Sequence, residues 1–254
     1  MAGKRLKKVS GRDVLLGFLI IAALIVAGWL AYHFYGEFKT ESMYKDMKDE
    51  TQEELTKKYK NMIGWLTVEN TDIDYPVVRA PENNKNFYLD HDINGDWSIN
   101  GCLFIDPRTD MIESYHTIIF GHHMANGTMF GRLNYQYEDT AEAKKHKTAE
   151  FTKWFKDGTY DQGEYKVYAA YPCSIQDKWS YLDFVNITNE SEFNEYVKVS
   201  KEKSIIKSNV KPKYGDEIIT LSTCSYHLWR WGRVDEDGRF VVVFVKDNHA
   251  EEEE

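Results

Sequence analysis

Cysteine is scarce in this sequence, and its spacing excludes several kinds of site. Only Cys102, Cys173 and Cys224 are present, with no CxxC pair and no Cys/His cluster at zinc-binding spacing. A structural zinc site is therefore not predicted. An odd number of cysteines leaves at least one thiol unpaired within the chain. If the domain is exported, that thiol is exposed to oxidation, which favours a functional reason for keeping it.

Charged residues are absent from one long stretch near the N-terminus. No Asp, Glu, Lys or Arg occurs in residues 14–36, whereas residues 1–12 contain five basic residues and no acidic one. At about 1.5 Å per residue the uncharged stretch reaches about 34 Å, enough to cross a hydrocarbon core of about 30 Å. We predict a single-pass membrane anchor with a cytoplasmic N-terminus and an extracellular domain. A cleaved signal peptide is the alternative, but its apolar region is usually only about 7–15 residues long.

The chain as a whole also lacks an excess of basic residues. It has 254 residues and a net charge of -9, which argues against a nucleic-acid partner. No internal repeat is present, and the length beyond the anchor suits one domain. We expect five segments in chain order: a cytoplasmic basic tail (1–13), the anchor (14–36), a membrane-proximal helical extension (37–64), the folded domain (65–248) and an acidic tail (249–254).

Three helices are predicted outside the anchor. The sequence TQEE at 51–54 fits a capping box, with Thr51 as the N-cap. The apolar residues that follow share one helical face: Leu55, Tyr59, Met62 and Ile63. A second helix is expected from about Thr128 through Leu133, and a third over about 191–203, where apolar residues again recur on one face.

From Trp65 onward the pattern changes to short runs rich in β-branched and aromatic residues. Turn-like stretches such as APENNK separate these eight runs: WLTV, IDYPVV, NFYL, GCLFID, HTIIFG, EYKVYAAYPCSI, DEIITLSTC and RFVVVFVK. Short strands at such spacing are typical of an all-β barrel or sandwich.

Cys224 ends one of these strand-like runs, and a loop rich in aromatic residues and arginines follows it. A free cysteine is usually a buried apolar residue. A cysteine at a strand end, however, opens onto a loop, and loops carry functional sites. Cys224 is therefore a candidate nucleophile, whereas Cys102 and Cys173 lie inside apolar runs and are expected in the core.

A thiol nucleophile needs a base and a group that stabilises the oxyanion. His122 and His123 come directly after the run TIIF and a glycine, and only one of two adjacent residues on extended chain faces a given site. His227 is a rival because it lies three residues after Cys224. The candidate cations all follow Cys224 in the chain: Arg230, Arg233 and Arg239.

Together these segments resemble class B sortases over about residues 41–246. The resemblance rests on TLSTC at a strand end, on Arg239 opening RFVVVFV, on FGHHMANGTMFGRL, and on GWLTVENTDIDYPVV followed by NFYL and GCLFID. It implies a mainly β fold, an eight-stranded sortase-type barrel with an N-terminal helical extension and short accessory helices, preceded by one transmembrane helix.

The resemblance also implies roles for individual residues. Cys224 would be the nucleophile, His122 the acid and base, and Arg239 the group that stabilises the oxyanion or orients substrate. Four further residues are expected near the substrate: Ser222, Thr223, Ser225 and Arg233. Arg233 competes with Arg239 for the arginine role because the stretch after Cys224 is long. Ser225 stands where class B members often carry an acidic residue, so the contact that this acid would make is not carried over to this chain by the resemblance.

The reaction that the resemblance implies is transpeptidation. The thiol cleaves a C-terminal sorting signal of the Asn-Pro-x-Thr-x type, and the thioacyl-enzyme passes the protein to an amine of peptidoglycan or its precursor. The expected partners are surface proteins bearing that signal, the peptidoglycan amine and the membrane, with no metal or cofactor. Three alternatives stay open: a thiol hydrolase that uses water, a pilin-polymerising sortase, and a non-enzymatic surface module with a buried thiol.

Overall fold

The computed structural model describes residues 11–224 and 237–246. Its first element is one unbroken helix, α1 (Gly11–Met47), which contains the predicted anchor and continues past Gly36 into the membrane-proximal segment. Within the described part of the chain it is the one helix long and apolar enough to cross a membrane. The protein buries none of its most apolar window, so this surface is available to lipid.

The predicted capping box is confirmed at helix α2 (Gln52–Lys58). The Thr51 hydroxyl accepts a hydrogen bond from the Glu54 amide at 3.3 Å, and the Glu54 carboxylate accepts one from the Thr51 amide at 2.8 Å. The helix ends at Lys58, earlier than the apolar stripe predicted. Tyr59, with φ of -117° and ψ of 88°, has already left the helical conformation. Met62 and Ile63 therefore belong to the first strand, where both are buried.

The predicted eight-stranded barrel is confirmed. Its strands are β1 (Met62–Val68), β2 (Asp74–Arg79), β3 (Leu103–Ile105), β4 (His116–Phe120), β5 (Thr148–Trp154), β6 (Tyr160–Ser174), β7 (Glu217–Cys224) and β8 (Gly238–Lys246). They close in the order β1-β2-β3-β4-β7-β8-β6-β5. All neighbouring strands are antiparallel except the parallel pairs β2–β3 and β4–β7.

One strand predicted from the sequence is not formed, and one strand that forms was not predicted, so the count of eight is unchanged. The run NFYL forms a 3-10 helix at Phe87–Leu89, because the turn-rich residues before it supply carbonyls for local hydrogen bonds. Strand β5 was not predicted from its sequence, TAEFTKW. Its inward residues are Ala149, Phe151 and a buried Lys153, so the apolar alternation that indicates a strand is weak.

The accessory helices follow the predictions in part. The helix expected from Thr128 is reduced to α3 (Leu133–Gln136), because Met129 takes a positive φ of 54° and pairs with His123 in an isolated bridge. A further short helix, α4 (Thr140–Ala143), follows. The helix predicted over 191–203 is confirmed as α5 (Glu190–Lys203), capped by the Asn189 side chain.

The barrel strands next to α5 bury both of their faces. On β7, Ile219 and Leu221 belong to the cluster that fills the barrel, whereas Ile218 belongs to a second cluster under α5. Such double burial explains the nearly continuous apolar run of this strand. Cys224 ends the strand and, by alternation, shares the outer face with Ile218 and Ser222. The end of β7 that carries Cys224 therefore follows a strand that is packed against the barrel core on one face and against the cluster under α5 on the other.

Candidate active site

The parallel pairing of β4 and β7 brings the ends of two distant segments to the same edge of the barrel. Phe120 is the register partner of Ser222, and the Gly121 amide donates to the Ser222 carbonyl at 3.1 Å. His122 lies two residues beyond Phe120, and Cys224 lies two residues beyond Ser222. The shared register thus carries the histidine and the cysteine out of the sheet side by side.

Strand β8 supplies an arginine on the other side of the cysteine. Arg239 is the direct cross-strand partner of Cys224 on β7 and of Cys173 on β6. Directly opposed residues of an antiparallel pair point to the same face, with Cβ atoms about 4.5–5.5 Å apart. The Arg239 guanidinium donates to the Gly238 carbonyl at 2.8 Å. The cysteine is consequently flanked by a histidine-bearing strand end and by an arginine.

A cleft with a volume of about 270 Å³ joins these strand ends. Its walls include five of the predicted site residues: His122, Ser222, Thr223, Cys224 and Arg239. Cys224 is partly exposed, whereas Cys102 and Cys173 are buried, as predicted for core residues. Burial raises the pKa of the Cys102 and Cys173 thiols to about 12, so neither is a nucleophile at neutral pH. The accessible thiol in the described part of the chain is Cys224.

The two adjacent histidines occupy different environments, as expected for neighbours on extended chain. His122 lines the cleft, and its Nε2 atom hydrogen-bonds the Leu89 carbonyl. Because a carbonyl only accepts, Nε2 carries the proton, and Nδ1 of the neutral ring is the atom left to take one. The His123 Nε2 atom instead lies 3.0 Å from the Asn134 amide oxygen. His123 is not among the residues that line the cleft.

The floor of the cleft contains hydroxyl groups. Ser222 is buried, and its Oγ lies 2.7 Å from the Tyr181 hydroxyl. Thr223 is also buried, and its Oγ1 has no hydrogen-bond partner among the residues that the structure describes. Ser222 therefore supports the strand end through Tyr181, while Thr223 retains a hydroxyl that is not satisfied within residues 11–224 and 237–246.

Sequence reasoning missed several cleft residues. Tyr181 comes from a 3-10 helix at 181–184, and the Leu89 carbonyl is a backbone group, so neither leaves a side-chain signal of chemistry. Asp106 did leave one, since a lone acid ends the run GCLFID. Its carboxylate pairs with Arg108 at 2.8 Å, and that guanidinium holds the pKa of the Asp106 carboxyl below its usual range.

Some predicted residues lie outside the described part of the chain. These are Ser225, Arg233 and the rivals His227 and Arg230. Within the described residues no group of three or more His, Cys, Asp or Glu side chains could hold a metal ion. The arrangement of thiol, imidazole and guanidinium in the cleft suits nucleophilic attack on a carbonyl, with proton transfer by the histidine.

Comparison with known proteins is consistent with this geometry. A family model described as the sortase domain matches residues 66–246. Sortase B of Staphylococcus aureus is 29% identical over 222 residues, which cover 81% of this chain and 86% of the relative. Sortase B of Listeria monocytogenes is 31% identical over 209 residues, covering 80% and 78% respectively. A solved S. aureus sortase B–substrate complex superposes with a TM-score of 0.64 at 26% identity, covering 88% of this chain and 98% of that one.

The match takes in both parallel strand ends and the start of β8, the elements that form the cleft. It also spans the whole barrel except the first residues of β1. The chain accordingly belongs to the sortase family, and its similarity to sortase B proteins makes it a class B, sortase-type cysteine transpeptidase.

Proposed function

We propose that this enzyme cleaves a C-terminal sorting signal of the Asn-Pro-x-Thr-x type and transfers the protein to an amine of peptidoglycan or its precursor. The observation that carries the proposal is the shared β4–β7 register, which places His122 and Cys224 at one edge of the barrel, with Arg239 opposite Cys224. All three residues line one cleft that is open to solvent and large enough for several peptide atoms.

In the first half-reaction the Cys224 thiolate attacks the threonine carbonyl of the signal. The carbonyl carbon becomes tetrahedral, and its oxygen carries the negative charge. Protonated His122 then gives its proton to the leaving amide nitrogen, and the carbon–nitrogen bond breaks. The products are a thioester on Cys224 and the free amine of the C-terminal fragment. In the second half-reaction the acceptor amine attacks the thioester and loses its proton to His122. The amide forms and the thiolate is released.

The local hydrogen bonds support a specific role for each ring atom of His122. The Leu89 carbonyl holds Nε2–H, which fixes the ring and its tautomer, as the third member of a catalytic triad does. Nδ1 is then the atom that exchanges the proton with the thiol and the amine. The backbone carbonyl of His122 accepts a hydrogen bond from the Phe130 amide at 2.9 Å. Both the ring and the backbone of His122 are therefore held in place.

Arg239 fits the task of stabilising charge on the oxyanion or orienting the peptide. A guanidinium has five donors in a fixed plane, so one can be held by the Gly238 carbonyl while others face the cleft. Thr223 also lines the cleft and is a further proposed substrate contact. Ser222, Ser225 and Arg233 complete the set of proposed substrate contacts, with Arg233 as the competitor for the arginine role.

We also propose the orientation implied by the basic N-terminus. With residues 1–13 in the cytoplasm and 14–36 in the bilayer, the extension 37–64, whose last residues already belong to β1, and the catalytic domain 65–248 lie outside the cell, followed by the acidic tail 249–254. That side of the membrane is where exported proteins and lipid-linked wall precursors meet. The continuous helix α1 supports this arrangement because it joins the apolar stretch directly to the barrel.

The test is mass spectrometry of the full-length protein with Asn-Pro-x-Thr-x peptides, with and without an added amine. An adduct on Cys224 that transfers to the amine is the expected result. Release to water alone would favour a hydrolase, and preference for a lysine side chain on a pilin-like protein would favour pilin polymerisation. No adduct, with Cys224 unreactive towards alkylating agents, would contradict the proposal and favour a non-enzymatic module.

The adjacent histidines provide a matched pair of variants for the same assay. His122→Ala should abolish transfer, whereas His123→Ala should have a mild effect, because His123 bonds Asn134 and does not line the cleft. Arg239→Ala and Arg233→Ala separate the two candidates for the arginine role. The assignment of the base is wrong if His123→Ala is the inactive variant.

A further inference from the structure

A large apolar side chain stands exposed beside the anchor helix. Trp97 is 57% exposed on the loop 90–98, which we call the Trp97 loop. The loop is closed by its own hydrogen bonds: the Asp92 carboxylate accepts from the amides of Asn94 and Asp96, at 2.9 and 3.1 Å. The Ser98 amide donates to the Asp90 carbonyl at 2.9 Å. The indole is thus presented by a compact loop rather than by a loose one.

The exposed indole stacks on a residue of the anchor itself. The rings of Trp97 and Tyr32 lie 6.3 Å apart, with planes 20° from parallel. Tyr32 is inside the uncharged stretch, four residues before its end at Gly36. Four residues of helix correspond to about 6 Å along the axis. When this stretch crosses a bilayer, the Trp97 ring therefore lies at the depth of the anchor's outer turn.

The barrel cannot move away from this position without losing contacts further along α1. Thr40, Tyr44 and Met47 continue the same helical face and are buried against the domain. The Tyr44 hydroxyl lies 3.1 Å from the Cys102 sulfur, and Tyr44 also packs edge-on against Tyr75. Helix α1 has no break between Tyr32 and Tyr44. The depth of Trp97 is consequently set by the depth of the anchor.

We propose that the Trp97 loop is a second membrane contact, which inserts its indole into the phospholipid interface beside the anchor. An indole suits this region because its body is apolar and its N–H is polar. A crevice of about 140 Å³ between α1 and the loop is lined by Tyr32, Tyr35, Lys39 and Trp97, among others, which extends the aromatic surface of the anchor. Asp96 is exposed on the same loop, so insertion rests on the indole and not on attraction to anionic lipid.

This contact would hold the cleft close to the bilayer surface. Trp97 pairs with His91 in an isolated bridge, and His91 is two residues after Leu89, whose carbonyl holds His122. The path from the Leu89 Cα to the Trp97 Cα consists of two Cα–Cα steps and one bridge, no more than about 13 Å in total. The wall of the cleft that positions the histidine thus lies within about 13 Å, Cα to Cα, of a residue in the lipid interface.

The test is tryptophan quenching in full-length protein reconstituted into phosphatidylcholine nanodiscs. The lipids carry bromine either high on the acyl chain, near the headgroup, or lower down. Emission from one tryptophan is obtained by subtracting the spectrum of its Phe variant from that of the wild type. The variants are Trp97→Phe, Trp29→Phe on the anchor, and Trp154→Phe on barrel strand β5.

The Trp97 emission should lose intensity in brominated nanodiscs, more with the shallow bromine than with the deep one, and added salt should not restore it. Trp29 lies about one helical turn deeper than Tyr32 and should also be quenched, whereas Trp154 should not. Quenching of Trp29 without Trp97 would overturn the proposal, as would equal quenching of Trp154. Absence of quenching at both Trp29 and Trp97 would refute it together with membrane insertion of α1. None of these outcomes bears on peptide transfer, which is measured separately.

Discussion

A buried histidine on strand β4, which leads into the active site, should make the stability of the fold sensitive to acid. His116 begins β4 and is fully buried. Its Nδ1 atom donates to the Phe184 carbonyl, and its Nε2 atom accepts from the Thr220 hydroxyl at 2.7 Å. The Tyr196 hydroxyl lies 2.6 Å from the same Thr220 oxygen. These bonds suit the neutral imidazole, and a second ring proton would place a positive charge in a fully buried site.

The size of the effect follows from the protonation equilibrium. Burial lowers the pKa of His116 from its usual 6.5 to about 4. The unfolded chain therefore binds a proton near pH 6.5, and the folded chain only near pH 4. The stabilisation from neutral His116 is fully present above pH 6.5 and is lost as the pH falls towards 4. With 1.36 kcal/mol per pKa unit, the loss is about 3 kcal/mol.

Thermal unfolding of the full chain in detergent, followed by circular dichroism across this pH range, measures the effect. For a domain of this size about 3 kcal/mol corresponds to roughly 6–12 °C in Tm. His116→Asn retains a donor towards Phe184 but cannot titrate. Between pH 6.5 and pH 4 its Tm should therefore fall by roughly 6–12 °C less than the Tm of the wild type does. His146→Asn changes a half-exposed imidazole outside the cluster and is the control. Equal pH slopes for wild type and His116→Asn would refute the reasoning.

Three further substitutions test the packing around the cleft and the anchor by thermal unfolding. Tyr181→Phe leaves the buried Ser222 hydroxyl without its partner and should cost about 1–3 kcal/mol, a penalty that should vanish when Ser222 is already Ala. Lys153→Met removes a buried cation from Glu217 and should cost up to about 3 kcal/mol, which would be contradicted by an unchanged Tm. Cys102→Ala removes the sulfur atom that lies beside the Tyr44 hydroxyl and should lower Tm by the equivalent of about 1–2 kcal/mol. Peptide transfer should be unchanged. Reduced transfer at full stability would give this thiol a catalytic role.

Predictions from the sequence succeeded where local pattern and structure have the same cause. The capping box at Thr51 and the helix α5 depend on residues a few positions apart, and both are present as predicted. Predictions failed where the decisive partner was remote. Met62 was assigned to a helical stripe, but it pairs with Val78 on β2. Strand β5 is stabilised by ladders to β1 and β6 and shows little apolar alternation of its own.

The sequence by itself determined the uncharged span of the anchor, the β-rich domain and the presence of Cys224 and the histidine pair at strand ends. These follow from composition and from periodicity, which act within a few residues. Only the tertiary structure decided that β4 and β7 pair in parallel, so that His122 and Cys224 line one cleft although about a hundred residues of chain separate them. It also decided that Leu89 orients His122 and that Trp97 stands on the anchor helix. Those contacts depend on barrel closure, which buries β7 on both faces and leaves one consistent register for its neighbours.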